Sequence, residues 1–236
     1  MVGPSETSLS ERVAVIVMAF NEAVSLEAVV REIHEVLCRL GGSHEIVIVD
    51  DGSSDGTGEK ADRLANELRA VRVIHHETNR GLGGVYRTGF AAVRRDFVTF
   101  FPADGQFPAS IIEQFVPLMD DADMVLGYLP SWSCSMSAKV LSRGERILYR
   151  LLIGPFPRFQ GIVMFRREIL DGLELKSTGR GWAVLMELIF RASQAGWRIR
   201  SVPTEIRPRM SGVSKVQNFR VILSNFQQIL ALRRDL

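Results

Sequence analysis

Residues 45–57 read Glu45-Ile-Val-Ile-Val-Asp-Asp-Gly-Ser-Ser-Asp-Gly-Thr57, and this stretch decides the fold. Ile46 to Val49 are apolar, β-branched and unalternating, as in a parallel strand covered on both faces. Paired acids, then Gly, Ser and Asp, end the run in a tight strand-to-helix turn. Asp55 or Thr57 is placed to cap the helix that follows, over Thr57–Leu68, while Asp50 and Asp51 face the cleft at the strand end. A buried strand feeding a helix through a polar turn is half of a βαβ unit.

The same rhythm extends in both directions. Upstream, Val13 to Met18 is a second apolar run. Leu26, Val29, Val30, Ile33, Val36, Leu37 and Leu40 then recur at helical spacing, with Gly41-Gly42 as the stop. Downstream come a strand over Val71–His75, a helix over Leu82–Val93, a strand over Phe97–Phe101, a helix over Pro108–Met119 and a strand over Met124–Tyr128. The expected fold is α/β, a mostly parallel, doubly wound sheet. Beyond Tyr128 the rhythm changes. Residues 129–158 form a long segment with a basic helix around Arg143, Arg146 and Arg150, followed by a strand over Val163–Phe165, a helix over Trp182–Ala195 and a strand over Ile199–Glu205. Ser211 to Ser214 reads as a polar loop.

Bulk properties set limits on function. With 236 residues and 46% hydrophobic content, the chain can bury one large core. Its 29 basic and 27 acidic residues create no global field, so no nucleic-acid partner is expected. Residues 1–10 read as a disordered leader, 11–216 as a single domain and 217–236 as an amphipathic helix. No apolar run approaches the ~20 residues of a membrane span. Cys38 and Cys134 lie far apart without a CxxC, and His34 one turn before Cys38 is too little for a metal site, so both thiols are expected to be idle in a reducing, cytoplasmic setting.

Ligands on doubly wound sheets collect at the carboxyl ends of the strands. Those ends read Ala19-Phe20-Asn21-Glu22, Asp50-Asp51-Gly52-Ser53 and Pro102-Ala103-Asp104-Gly105-Gln106. The acids of the second can accept hydrogen bonds from a ribose or a base edge. In the third, a carboxylate and an amide oxygen two residues apart can reach one hard cation. Asn79-Arg80-Gly81-Leu82-Gly83-Gly84 loosely matches a dinucleotide fingerprint. It stands in the third βα turn, whereas the fingerprint belongs in the first, here Ala-Phe-Asn-Glu-Ala-Val-Ser, which disfavours an oxidoreductase. Its glycines instead let the backbone pass close to a ligand or to a neighbouring strand. Finally, Arg207 to Lys215 gathers three cations and two serines that could close over a phosphate.

FNEA, IVIVDDGSSDGT, NRGLGGVYRTGF, ADGQFP and ELIFRASQAGWRIRSVPTEIRPRMSGVSK, in this order between Val13 and Lys215, resemble family 2 glycosyltransferases, in particular the dolichol- or polyprenyl-phosphate hexosyltransferase branch. The resemblance implies a glycosyltransferase A-type fold. It also implies transfer of a hexose, with inversion, from a nucleotide-diphosphate sugar to a lipid phosphate. Ala19, Phe20, Asn21, Glu22, Asp50, Asp51 and Asp104 would then line the nucleotide site. Asp104 and Gln106 would hold a divalent cation, Mg or Mn. Arg209, Ser214 and Lys215 would bind phosphate, with Asp104, Arg209 and Lys215 the catalytic set.

Three departures from the family pattern stand out. Pro102 replaces the Asp that opens the metal motif. Arg158 to Ile162 lacks an acid and a Gly-Phe pair before Phe165-Arg166-Arg167, and Leu129 falls where relatives carry Arg. A sugar-hydroxyl acceptor, which would need a base such as Glu187, and a catalytically weak nucleotide-binding relative are the alternatives. From Arg207 onward, six basic residues stand against the single acid Asp235, and Phe219, Ile222, Phe226, Ile229 and Leu230 share one helical face. That pattern suits either an ordinary core helix packed on the sheet or peripheral contact with the cytoplasmic surface of a membrane.

Overall fold

In the computed structural model, which describes residues 13–41, 44–130 and 157–210, seven strands form one sheet. They are β1 (Val13–Ala19), β2 (Glu45–Asp50), β3 (Val71–His75), β4 (Phe97–Pro102), β5 (Met124–Tyr128), β6 (Val163–Arg166) and β7 (Ile199–Pro203), in the order β3-β2-β1-β4-β6-β5-β7. β3, β2, β1 and β4 pair in parallel. β6 runs antiparallel to both β4 and β5, and β5 pairs in parallel with β7. The sheet is thus mostly parallel and doubly wound, as the sequence implies, with one reversed strand.

Among the described residues six α-helices cover it: α1 (Leu26–Leu40), α2 (Thr57–Glu67), α3 (Gly81–Ala92), α4 (Ser110–Phe115), α5 (Glu168–Gly172) and α6 (Ala183–Gln194). Every residue of β1 is buried, and alternate residues serve opposite faces. Val13, Val15 and Val17 pack with Leu26, Val30 and Ile33 of α1 and with Ile112 and Phe115 of α4. Ala14, Ile16 and Met18 pack with Val85 and Phe90 of α3 and with Leu188 and Ile189 of α6. These two apolar layers are the core.

Two expected boundaries differ. The helix after Pro108 is split into α4 and a 3₁₀ turn over Val116–Asp120. Pro117 lacks the N–H that the α-ladder needs there. β7 ends at Pro203, two residues short of Glu205, and Glu168–Gly172 is a short helix that the pattern did not announce. The basic segment around Arg143, the loop from Ser211, the leader and the helix at 217–236 lie outside the described residues.

The order β3-β2-β1-β4 puts the topological switch point between β1 and β4. Pairing continues past the strand ends there: Asp51 N–H donates to Ala19 O at 2.9 Å and Ala103 N–H to Met18 O at 2.9 Å. The three loops singled out in the sequence therefore lie side by side at one edge of the sheet.

Candidate active site

The loop after β1 is stitched to the loop after β2. Asn21 adopts φ 54°, a left-handed conformation that Asn tolerates better than most residues. Its N–H donates to Ser53 Oγ at 2.9 Å, and its Oδ1 accepts from Ser54 N–H at 2.9 Å. Glu22 N–H donates to Thr57 Oγ1 and Ala23 N–H to Asp55 Oδ2. Asp55 also accepts from Thr57 N–H at 3.1 Å, but the N-cap position of α2 is Gly56, at φ 89°, and no side chain caps the helix, so neither Asp55 nor Thr57 is the cap that the sequence suggests.

Asp50 and Asp51, expected to face the cleft, are enclosed by protein at the strand end. They are 4% and 2% exposed. Asp50 Oδ2 lies 2.9 Å from His75 Nδ1 and its Oδ1 accepts from Ser53 N–H. Asp51 Oδ1 lies 2.7 Å from His76 Nδ1 and accepts from Arg80 N–H at 2.8 Å, while its Oδ2 accepts from Gly81 N–H at 2.8 Å. A carboxylate satisfying N–H groups at the start of α3 is favoured by the helix dipole. Both acids act as internal ties, and the histidines that complete them stand at the end of β3, a position the sequence reading passed over. The available signal was an adjacent His75-His76 pair at a strand end.

Gly81 and Gly83 at the start of α3 are packed against the backbone of residues 179–181, which is a loop and not a strand. A Cβ on Gly83 would lie 2.1 Å from Gly179 O, and Gly83 N–H donates to Arg180 O at 2.9 Å. The loop at 177–181 is held further by Arg87, which donates to Ser177 O and Gly179 O, and by Arg180, which donates to Asn79 Oδ1. Glu187, the sequence candidate for a general base, anchors the same loop. It is 1% exposed, and it accepts from Lys176 N–H, Ser177 N–H and Arg191 Nε at 2.8–2.9 Å. Burial pushes its carboxyl up, but these donors more than offset that and hold it below the ordinary carboxylate range. An ionised carboxylate saturated by donors is a poor base.

The loop after β4 meets the segment after β7. Asp104 is 3% exposed, and Gly105 at φ 74° turns the chain so that Gln106 N–H donates back to Asp104 Oδ1 at 3.0 Å. Arg207 N–H donates to Gln106 O and Met210 N–H to Asp104 O, which lays residues 207–210 along residues 104–106. Arg207 is secured by Glu32 of α1, at 3.1 and 3.2 Å. Arg209 Nε then donates to both Asp104 Oδ2 at 3.0 Å and Gln106 Oε1 at 3.1 Å. The carboxylate and the amide oxygen expected to share a cation do converge on one point, and a guanidinium sits there. Pro102 offers that point no side-chain ligand, and Ser214 and Lys215 lie outside the described residues.

A doubly wound sheet with an acid, an amide and a guanidinium gathered at its switch point fits the glycosyltransferase A-type fold that the sequence resemblance implies. Residues 14–173 match the family model "Glycosyl transferase family 2", and the chain belongs to that family: it is a glycosyltransferase. Among its relatives is the polyprenol monophosphomannose synthase of Mycolicibacterium smegmatis, 29% identical over 90% of this chain and 84% of that protein. Another is the undecaprenyl-phosphate mannosyltransferase of Micrococcus luteus, 28% identical over 87% of each. The fold is shared with glucosyl-3-phosphoglycerate synthase of Mycobacterium tuberculosis in a complex with Mn²⁺, UDP and its product, at a TM-score of 0.71 and 19% identity, covering 98% of this chain and 84% of that one.

Proposed function

We propose that this glycosyltransferase moves a hexose, with inversion, from a nucleotide-diphosphate sugar to a polyprenyl or dolichyl phosphate. The observation that carries the reading is the convergence of Asp104, Gln106 and Arg209 at the switch point between β1 and β4. The names of the relatives support a polyprenyl-phosphate acceptor and make mannose the first sugar to test. Ala19 to Glu22 form the wall for base and ribose, with Asp50 and Asp51 holding that wall from behind. Arg209, with Ser214 and Lys215, binds phosphate.

A lipid phosphate also fits the state of Glu187. A phosphate nucleophile is already an anion and needs positioning more than deprotonation, so a saturated Glu187 is no obstacle. Asp104 and Gln106 are the residues that would hold Mg or Mn, because their oxygens already point to one place. Such an ion supplies charge neutralisation of the diphosphate as the nucleotide leaves. With Pro102 in place of an acid, the protein contributes one carboxylate, which is within the ordinary range for Mg²⁺ bound largely through substrate phosphates. An ion held there would take the place that the Arg209 guanidinium occupies between Asp104 and Gln106, and Arg209 would be available to phosphate.

A lipid acceptor requires the site to approach a bilayer. Among the described residues no helix is long and apolar enough to cross a membrane. Peripheral contact through the basic C-terminal end is therefore part of the proposal. It is checked by co-sedimentation with anionic vesicles at low and high salt, for the full chain and for one lacking residues 217–236. The transfer assay supplies labelled GDP- and UDP-hexoses with polyprenyl phosphate in micelles, with and without Mg²⁺ or Mn²⁺. Label in an organic-soluble product supports the proposal. Label passing only to soluble sugars, or no transfer from any donor, overturns it.

A further inference from the structure

A third histidine-class ligand joins the pair that the sequence leaves incomplete. His34 and Cys38 lie one turn apart on one face of α1. The chain reverses at Gly41, with φ 84°, and returns His44 to the same place immediately before β2. His34 Nδ1 is 2.8 Å from His44 Nε2, and Cys38 Sγ is 3.6 Å from His34 Nε2. One ligand atom from each of the three residues can be chosen so that all lie within 4.8 Å of one another.

We infer that His34, Cys38 and His44 form a site for a borderline-soft divalent cation of the zinc class, separate from the cleft. The donor set decides the class: a thiolate and two imidazoles, with no carboxylate in the cluster, suit zinc and its neighbours and not the hard cations Mg²⁺ or Mn²⁺. Ligands about 2.0–2.1 Å from a tetrahedral ion stand about 3.3 Å apart, so the two facing nitrogens must open by roughly half an ångström, and Cys38 Sγ, whose contact is with the other ring nitrogen of His34, must turn toward them. Cys38 is exposed and His34 is half-buried, so this side of the site can adjust and an ion can enter. The fourth position falls to water.

The helix dipole favours a cation here, against the charges of Arg69, Arg94 and Arg95, which line a pocket with His44. The cluster sits at the end of α1, where the helix dipole is negative. The neighbouring Arg39 is turned away and paired with Glu113 at 3.1 Å. α1 leaves the cleft at its first turn and runs away from it for 15 residues, or about 22 Å at 1.5 Å per residue. The ion would clip the end of α1 to the start of β2, at the far edge of the sheet from Asp104, as a structural fastener and not as a participant in transfer.

Cobalt(II) titration of metal-stripped full-length protein tests this directly. The expected result is one equivalent of tetrahedral Co²⁺ showing thiolate-to-metal charge transfer and displaced by Zn²⁺. The band should vanish in Cys38→Ser and persist in Cys134→Ser and in Asp104→Asn. His34→Ala should weaken Zn²⁺ binding by about tenfold or more, since losing even an outer-shell partner costs 10–100-fold. Zn²⁺ should raise the melting temperature of the parent and not of Cys38→Ser, because an ion bound only by the native state stabilises it. Absence of the band at stoichiometric Co²⁺, or its survival in Cys38→Ser, overturns the inference.

Discussion

Arg209 and Asp104, 105 positions apart in sequence, are joined by a guanidinium that also reaches Gln106, so one cation side chain satisfies both oxygens of the metal motif. Removing the charge of Asp104 removes the group on which the arrangement turns. Asp104→Asn should lower hexose transfer on the order of a hundredfold or more, the usual consequence of deleting a charge-stabilising group. Steady-state transfer at saturating donor measures it. Full activity in the variant would place the catalytic charge elsewhere.

Pro102 is the last residue of β4 and Asp104 stands two positions further on, in the turn that follows, so an acid at position 102 restores the Asp-x-Asp spacing of the family pattern. Pro102→Asp should tighten Mn²⁺ binding on the order of tenfold, as a second carboxylate joins the first. The variant should also bind Mn²⁺ in the absence of nucleotide, which calorimetric titration reads. An unchanged metal response would mean that position 102 does not face the ion.

Asp51 is a structural acid, and its substitution should cost stability. Asp51→Ala leaves the N–H groups of Arg80 and Gly81 and the buried His76 without their acceptor. At ~1–3 kcal/mol per abandoned buried donor, the loss should be roughly 2–4 kcal/mol after relaxation. Denaturant unfolding gives the value. A loss under about 0.5 kcal/mol would mean that water replaces the carboxylate, and Asp51 could then be read as a simple ligand-contact residue.

The contrast between Asp51 and Asp104 shows what the sequence could carry. Strand and helix positions were legible because burial imposes a period: β1 is apolar on both faces and α1 on one. Asp104 and Gln106 were legible because two side chains two residues apart must act near each other. The partners of Asp51 were not, since His76 and the N–H groups of Arg80 and Gly81 come from the end of β3 and the start of α3, and only the parallel pairing of β2 with β3 brings them in. Glu187 failed for the same reason: its donors Lys176 and Ser177 belong to a loop whose path no local pattern specifies. His44 was separated from His34 and Cys38 by the very turn that reunites them.

Asp123, beside β5, supplies the last prediction, and its sign can be worked out. It accepts from Arg198 through Nε at 3.0 Å and Nη2 at 2.8 Å, and from Arg166 Nε at 3.2 Å. The hydrogen bonds of Arg198 dominate and hold its carboxyl down to about 2, against an ordinary value of 3.8. A pKa lowered on folding means that the unfolded chain binds the proton more readily, so this contribution to stability is complete above about pH 4 and is lost as pH falls toward 2. At 1.36 kcal/mol per unit it amounts to at most about 2 kcal/mol, less because Arg198 is more than half exposed and screened by solvent. His75 works in the other direction: the hydrogen bonds of Asp50 and then Asp62 raise its pKa, so its contribution is present below the ordinary histidine value and fades as pH rises through the folded one. The two windows do not overlap. Asp123→Asn should therefore flatten the stability profile between pH 4 and 2 and leave the slope near neutrality unchanged, as read from denaturant midpoints at stepped pH. An unaltered acid limb in Asp123→Asn would assign acid unfolding to other carboxylates.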